Sequence, residues 1–100
     1  MVTELAVLDV KPGQEDEFES AFQRAKTLIA SANGFKWLNL QRCLERPGRY
    51  VLFVGWERLE DHAAGFRGSE AYSQWRALLH HFYDPFPTVE HYESVTAIPE

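Results

Sequence analysis

The chain has one cysteine, Cys43, so it cannot form a disulfide within itself, and a covalently stapled scaffold is excluded. That usage fits a reducing compartment, and a cytoplasmic setting is expected. A thiolate nucleophile is the sharper reading of Cys43, but no sequence neighbour would lower its pKa, and a small hydrophobe is the ordinary role. Basic charge is also scarce: ten Lys and Arg stand against fifteen Asp and Glu, for a net charge of −5. The basic residues are scattered rather than gathered in a stripe, so neither nucleic acid nor an anionic membrane is expected as a partner. Long apolar runs are missing as well. The opening run Leu5-Ala-Val-Leu8 is short and lies between Glu4 and Asp9, with no basic segment before it and no small-residue cleavage site after it. It reads as neither a signal peptide nor a membrane span. Glycine-rich phosphate loops, a nucleophile elbow and paired-cysteine motifs are absent too.

What is present describes one globular domain over residues 1–100, with 45% apolar and 25% charged residues. A domain of this size buries only about 60–65% of its unfolded surface, so a partner subunit would add useful burial. Residues 2–10 read as a strand ended by Lys11-Pro12-Gly13. Glu15, Asp16 and Glu17 suit the positive end of a helix dipole, and Phe18, Ala21, Phe22, Ala25, Leu28 and Ile29 recur at helical spacing until Asn33-Gly34. Phe35–Leu44 and Tyr50–Trp56 make a hairpin about Arg46-Pro47-Gly48-Arg49. Leu59, His62, Ala63 and Phe66 then fall at i, i+3, i+4 and i+7, one face of a short helix. Ser69 can cap a further helix with the stripe Ala71, Tyr72, Trp75, Leu78, Leu79 and Phe82. Asp84-Pro85-Phe86-Pro87 breaks it, and Thr88–Val95 is the last strand.

The order β-α-β-β-α-β is the split βαβ pattern of an α+β, ferredoxin-like fold, an antiparallel sheet with helices on one face. Tyr50-Val-Leu-Phe-Val-Gly-Trp56 is apolar at both strand parities, although helices can cover only one face. The second face is therefore expected to pack on another copy of the chain, as a two-fold homodimer.

Several segments together resemble the antibiotic biosynthesis monooxygenase domain family, within the dimeric α+β barrel superfamily. They are Val10-Lys-Pro-Gly13 before the long helix, the Gly34-Phe35 step, Trp56-Glu57, and the stretch Glu60-Asp61-His62, Phe66-Arg67-Gly68-Ser69, Tyr72 and Trp75. The resemblance implies a ferredoxin-like fold paired sheet to sheet, and oxidation of phenols or quinols by dioxygen with neither metal nor flavin. A heme-degrading branch uses a strand-one Asn, a helix Trp and a later His. In this chain Phe66 stands at the Trp position and Arg76 at the His position, and strand one offers Ala6 and Asp9 but no Asn, so heme degradation is not expected. Quinol-oxidising relatives carry an Asn and a Trp on the second helix, where this chain has His62 and Phe66 at the matching i and i+4 positions.

Among individual residues, His62 interrupts an apolar helix stripe and should point toward the sheet, where it could accept a phenolic proton. The bland alternative is a histidine hydrogen-bonded at the core edge. Phe66, Tyr72 and Trp75 read as pocket wall or core, as does Trp37, and His91 shares strand parity with Val89 and Val95. Asn39 has the parity of Trp37 and could donate to a developing oxyanion. His80 and His81 lie outside the apolar arc centred on Trp75, so solvent is their default unless the Asp84–Pro87 loop folds over them. His80, His81, Asp84 and His91 are ligand types for zinc or iron. Adjacent helical histidines diverge by about 100°, though, and cannot both reach one ion, so no metal and no cofactor are expected. The reading that results is a cofactor-independent monooxygenase acting on a small aromatic phenol or quinol, with His62 catalytic and Phe66, Tyr72, Trp75, His91 and Asn39 binding substrate. Its rival is a non-catalytic ligand-binding or stress-response protein on the same barrel.

Overall fold

The computed structural model describes residues 1–99. Four strands, β1 (Val2–Asp9), β2 (Phe35–Arg42), β3 (Arg49–Trp56) and β4 (Val89–Tyr92), form one antiparallel sheet in the order β2-β3-β1-β4. Helix α1 (Glu15–Ala30) carries the chain from β1 past β3 to β2, and α2 (Glu70–Leu79) leads toward β4 at the other edge. This is the ferredoxin-like arrangement read from the sequence. Among the described residues no helix is long and apolar enough to cross a membrane.

The apolar period of α1 places Phe18, Ala21, Phe22, Ala25 and Ile29 against the inner face of the sheet. Phe18 is the hub there, with ring centroids 4.9 Å from Tyr50, 5.8 Å from Phe82 and 5.9 Å from Tyr83. Gly34 follows α1 at φ +80°, a conformation open to glycine at little cost, and a Cβ there would meet the Asp61 side chain. Helix α2 begins at Ser69, whose hydroxyl accepts from the Tyr72 amide at 3.2 Å, and it buries Trp75 and Leu79. Trp75 packs edge-on against Phe22 at 5.6 Å, which joins the two helices over the sheet.

Three expectations change. The short helix with a stripe of Leu59, His62, Ala63 and Phe66 is instead a π-helical turn, Asp61–Phe66, with His62 and Phe66 buried and Ala63 exposed, and Leu59 lies before the turn and is exposed too. Its backbone closes five residues apart, Arg67 N–H donating to the His62 carbonyl at 3.1 Å, and only the i, i+4 pair His62 and Phe66 keeps the expected buried face. The last strand stops at Tyr92 and Val95 is 97% exposed, because β4 pairs with β1 only from Ala6 back to Thr3 and β1 starts one residue earlier. Trp37 is neither core nor pocket wall; it lies on the face away from the helices, 39% exposed, across Gly55, where a Cβ would run into the indole. That outer face also carries Leu5, Val7, Val51 and Phe53, all half-buried without any helix over them.

Removing the cap at α2 tests its share in the fold. Ser69→Ala should lower stability by about 1 kcal/mol, seen as a drop of roughly 4–8 °C in the thermal midpoint. An unchanged midpoint would mean that packing of Trp75 and Leu79 alone holds this helix.

Candidate functional site

Between the inner face of the sheet and α2 lies a cavity of about 350 Å³. Its floor is Glu4, Ala6, Leu8 and Leu52 from the central strands with Val89 from β4. Phe66, Tyr72 and Trp75 form the helix-side wall, and Phe66 meets both other rings edge-on at 5.5 and 5.7 Å. The rim is His80, Tyr83 and Phe86, with Arg67 beside them.

Alternation in β1 turns Glu4 inward with Ala6 and Leu8, and leaves it only 5% exposed. A carboxylate so placed needs partners. The Trp56 indole N–H donates to its Oε1 at 2.9 Å, and His62 Nε2 faces the same oxygen at 3.3 Å. His62 stacks on Trp56, centroids 5.3 Å apart and planes 19° apart, and its Nδ1 lies 2.7 Å from His91 Nε2. The carboxylate favours the proton of His62 on Nε2, which leaves Nδ1 to accept from His91. Burial is the largest influence on both members of the pair, with opposite effects. It raises the Glu4 carboxyl above its ordinary value, a rise that the Trp56 hydrogen bond and the Arg67 charge oppose. It pushes His62 down to about 3, helped by the positive field of Arg67 and by His91. His62 is therefore neutral across the physiological range.

Of the residues singled out from the sequence, His62, Phe66, Tyr72 and Trp75 line the cavity, and His91 stands behind His62 rather than in the wall. Asn39 does not join them. It is exposed and shares the parity of Trp37, so the pleat of β2 directs it to the outer face. His80 also departs from expectation. Helix α2 ends at Leu79, the next turn is 3₁₀, and His80 turns into the rim, its ring 5.0 Å from Phe86 and 6.0 Å from Tyr72, while His81 stays exposed. The ligand set His80, His81, Asp84 and His91 is not assembled; among the described residues no three His, Cys, Asp or Glu side chains are placed to hold one ion. Cys43 is outside the cavity, its Sγ 3.7 Å from a Glu45 oxygen. Sequence reasoning missed Glu4 and Arg67. An acid at inward parity between Val2 and Leu8 was the available signal for Glu4; Arg67 had none beyond its place after Phe66.

Comparison with known proteins gives the same picture from outside. A family model for antibiotic biosynthesis monooxygenase matches residues 1–78. The uncharacterized protein YczJ of Bacillus subtilis (strain 168) is 52% identical over 95 residues, which is 95% of this chain and all of that protein. A Bordetella bronchiseptica crystal structure, of a protein assigned to the antibiotic biosynthesis monooxygenases, is 35% identical at a TM-score of 0.91, covering 95% of this chain and 97% of that one. SnoaB, a cofactor-independent oxygenase from Streptomyces nogalater, is 24% identical at a TM-score of 0.79, covering 99% of this chain and 97% of that one; at that identity the likeness speaks for the fold.

The buried histidine leaves a signature in stability. With His62 lowered to about 3 from 6.5, the unfolded chain binds a proton between those values that the folded chain does not. Its contribution is thus complete above pH 6.5 and is lost as pH falls toward 3. His80 and His91, also lowered by burial, act in the same sense. Glu4, raised, acts oppositely: its contribution is complete below 4.5 and is lost as pH rises through its folded value. Three histidines outweigh one carboxyl between pH 7 and 5, so the thermal midpoint should fall over that interval. His62→Gln should make the fall shallower, and equal slopes in the two proteins would contradict the assignment.

Proposed function

The chain belongs to the antibiotic biosynthesis monooxygenase family, and we propose that it oxygenates a small phenol or quinol held in the cavity, with no bound cofactor. The observation that carries this reading is a buried carboxyl–imidazole pair, Glu4 and His62, in the wall of a cavity lined by Phe66, Tyr72 and Trp75. A volume of about 350 Å³ suits a ligand of one or two fused rings, and the aromatic walls supply offset and edge contacts to a flat ring. SnoaB, described as a cofactor-independent oxygenase, is an instance of this fold carrying such chemistry.

That chemistry needs a base. Once the pair takes the phenolic proton, the electron-rich ring adds dioxygen at a hydrogen-bearing carbon ortho or para to the oxygen. The peroxide so formed takes a proton, and loss of hydrogen from that carbon with O–O cleavage leaves a carbonyl and water. One oxygen atom stays in the product and the other leaves as water, the substrate supplying all four electrons. Arg67, the cation at the rim, favours the anionic phenolate over the neutral phenol.

The rival reading, a ligand-binding protein without turnover, has its own observation: His62 is held on both sides and kept neutral. Oxygen consumption in a screen of dihydroxynaphthalenes and anthrone-like phenols separates the two. Under the oxygenase reading removal of the pair, Glu4→Gln with His62→Ala, should lower turnover by roughly 10²–10⁴ while the protein stays folded. Phe66→Ala and His80→Ala, which open the wall and rim, should chiefly raise KM. No oxygen uptake with any phenol would leave the binding protein.

We further propose that two copies pair through the outer sheet face. Leu5, Val7, Val51 and Phe53 form an apolar centre there, with Trp37 and Tyr92 toward its edges. Phe53→Glu would place a charge at that centre, where an unpaired buried charge costs several kcal/mol, and sedimentation should shift from dimer to monomer. A wild-type monomer at micromolar concentration would end this proposal.

A further inference from the structure

Within the Glu4–His62 pair, the atoms already committed decide which group can receive a proton. Both polar neighbours of the Glu4 carboxyl, the Trp56 indole and the His62 imidazole, converge on Oε1, and Glu4 lines the cavity. Oε2 is thus the carboxyl atom left for a ligand. His62 has the opposite situation. Its Nδ1 is held by His91 at 2.7 Å, its Nε2 faces Glu4 at 3.3 Å, and its plane is fixed on the Trp56 indole. To offer a lone pair to a ligand the ring would have to leave His91 or turn off Trp56.

On this geometry we infer that Glu4, through Oε2, is the catalytic residue that takes the phenolic proton, and that His62 and His91 are positioning residues behind it. This rests on the phenol-oxygenation reading of the cavity. The phenol O–H bond breaks and an O–H bond forms at Oε2, while the electron pair stays on the phenolic oxygen. One negative charge passes from Glu4 to the ligand, so the net charge of the cavity is unchanged and Arg67 serves both states. After dioxygen has added, the same carboxyl returns the proton to the peroxide. The titration behaviour agrees. Burial lowers His62 to about 3, which makes it a poor acceptor, and raises Glu4 above its ordinary 4.5, so the carboxylate is the stronger base of the two. His62 Nε2 holds Oε1 at 3.3 Å, and His91 on Nδ1 keeps that tautomer in place.

The test reads ionisation of a bound phenol, not turnover. 4-Nitrophenol is the probe, because its phenolate has its own visible absorption, and the pH is set below its solution pKa. Wild-type protein should bind it as the phenolate. Glu4→Gln keeps shape and can still meet Trp56 but takes no proton, so it should bind the neutral phenol only. Glu4→Asp, which retains the acid on a shorter arm, should ionise a reduced fraction and guards against a folding defect in the first variant. His62→Gln, whose amide can still donate to Oε1, should retain the phenolate, whereas His62→Ala should lose part of it. With a turned-over phenol, Glu4→Gln should cost roughly 10²–10⁴ in kcat and His62→Gln far less. Loss of the phenolate in His62→Gln with its retention in Glu4→Gln overturns the inference, and so does a wild-type protein that binds only the neutral phenol. Oxygen consumption by wild type then decides the oxygenase reading separately.

Discussion

A carboxylate turned into an apolar interior is the constraint around which the other parts are arranged. Glu4 sits at an inward position of a central strand, where an uncompensated charge would cost several kcal/mol, so its neighbours must answer it. The answer comes from two other elements: Trp56 at the end of β3 donates to it, and His62 in the π-turn faces it. The π-turn is thereby tied to the sheet at one buried point, and β4 is tied to the π-turn through His91. One polar cluster thus fixes the relation of four elements, in a core otherwise held by aromatic and aliphatic packing.

On the proposed reading, the same cluster lets one cavity be both apolar and suited to proton transfer. Aromatic walls bury a ring but do nothing to its protons. A carboxyl among them is raised by the burial that the walls create, and the imidazole next to it is lowered by the same cause. Arg67 at the rim keeps a negative charge tolerable in a place with little water. On that reading binding and proton transfer draw on one arrangement rather than on two.

Much of this was legible in the sequence, and the parts that were not share a physical cause. The stripe of α1, the Ser69 cap and the hairpin about Pro47-Gly48 depend on local spacing, and each stands where spacing puts it. The stripe Leu59–Phe66 failed in two of its four members: the regular turn begins only at Asp61, after Leu59, and it is closed by a π bond from Arg67 to His62 that no propensity announces. Strand β4 ended early for a reason outside itself, the start of β1. Asn39 had the right chemistry and the wrong side of the pleat; its parity with Trp37 was visible, but the face that Trp37 takes depends on Gly55 across the ladder. Glu4 was overlooked because an acid in a short strand is usually an exposed residue, and its partners lie 52 and 58 positions away in the chain.

The π-turn sets its two buried side chains, His62 and Phe66, four residues apart, with Ala63, Ala64 and Gly65 exposed between them. Deletion of a single codon for Ala63 or Ala64, neither of which touches the cavity, would bring His62 and Phe66 to three residues apart and break their shared face while leaving every cavity side chain in the sequence. Among proteins of this shape, loop length is therefore as informative as residue identity: an alignment that closes a gap at this point can match a histidine in letters that has no counterpart in space.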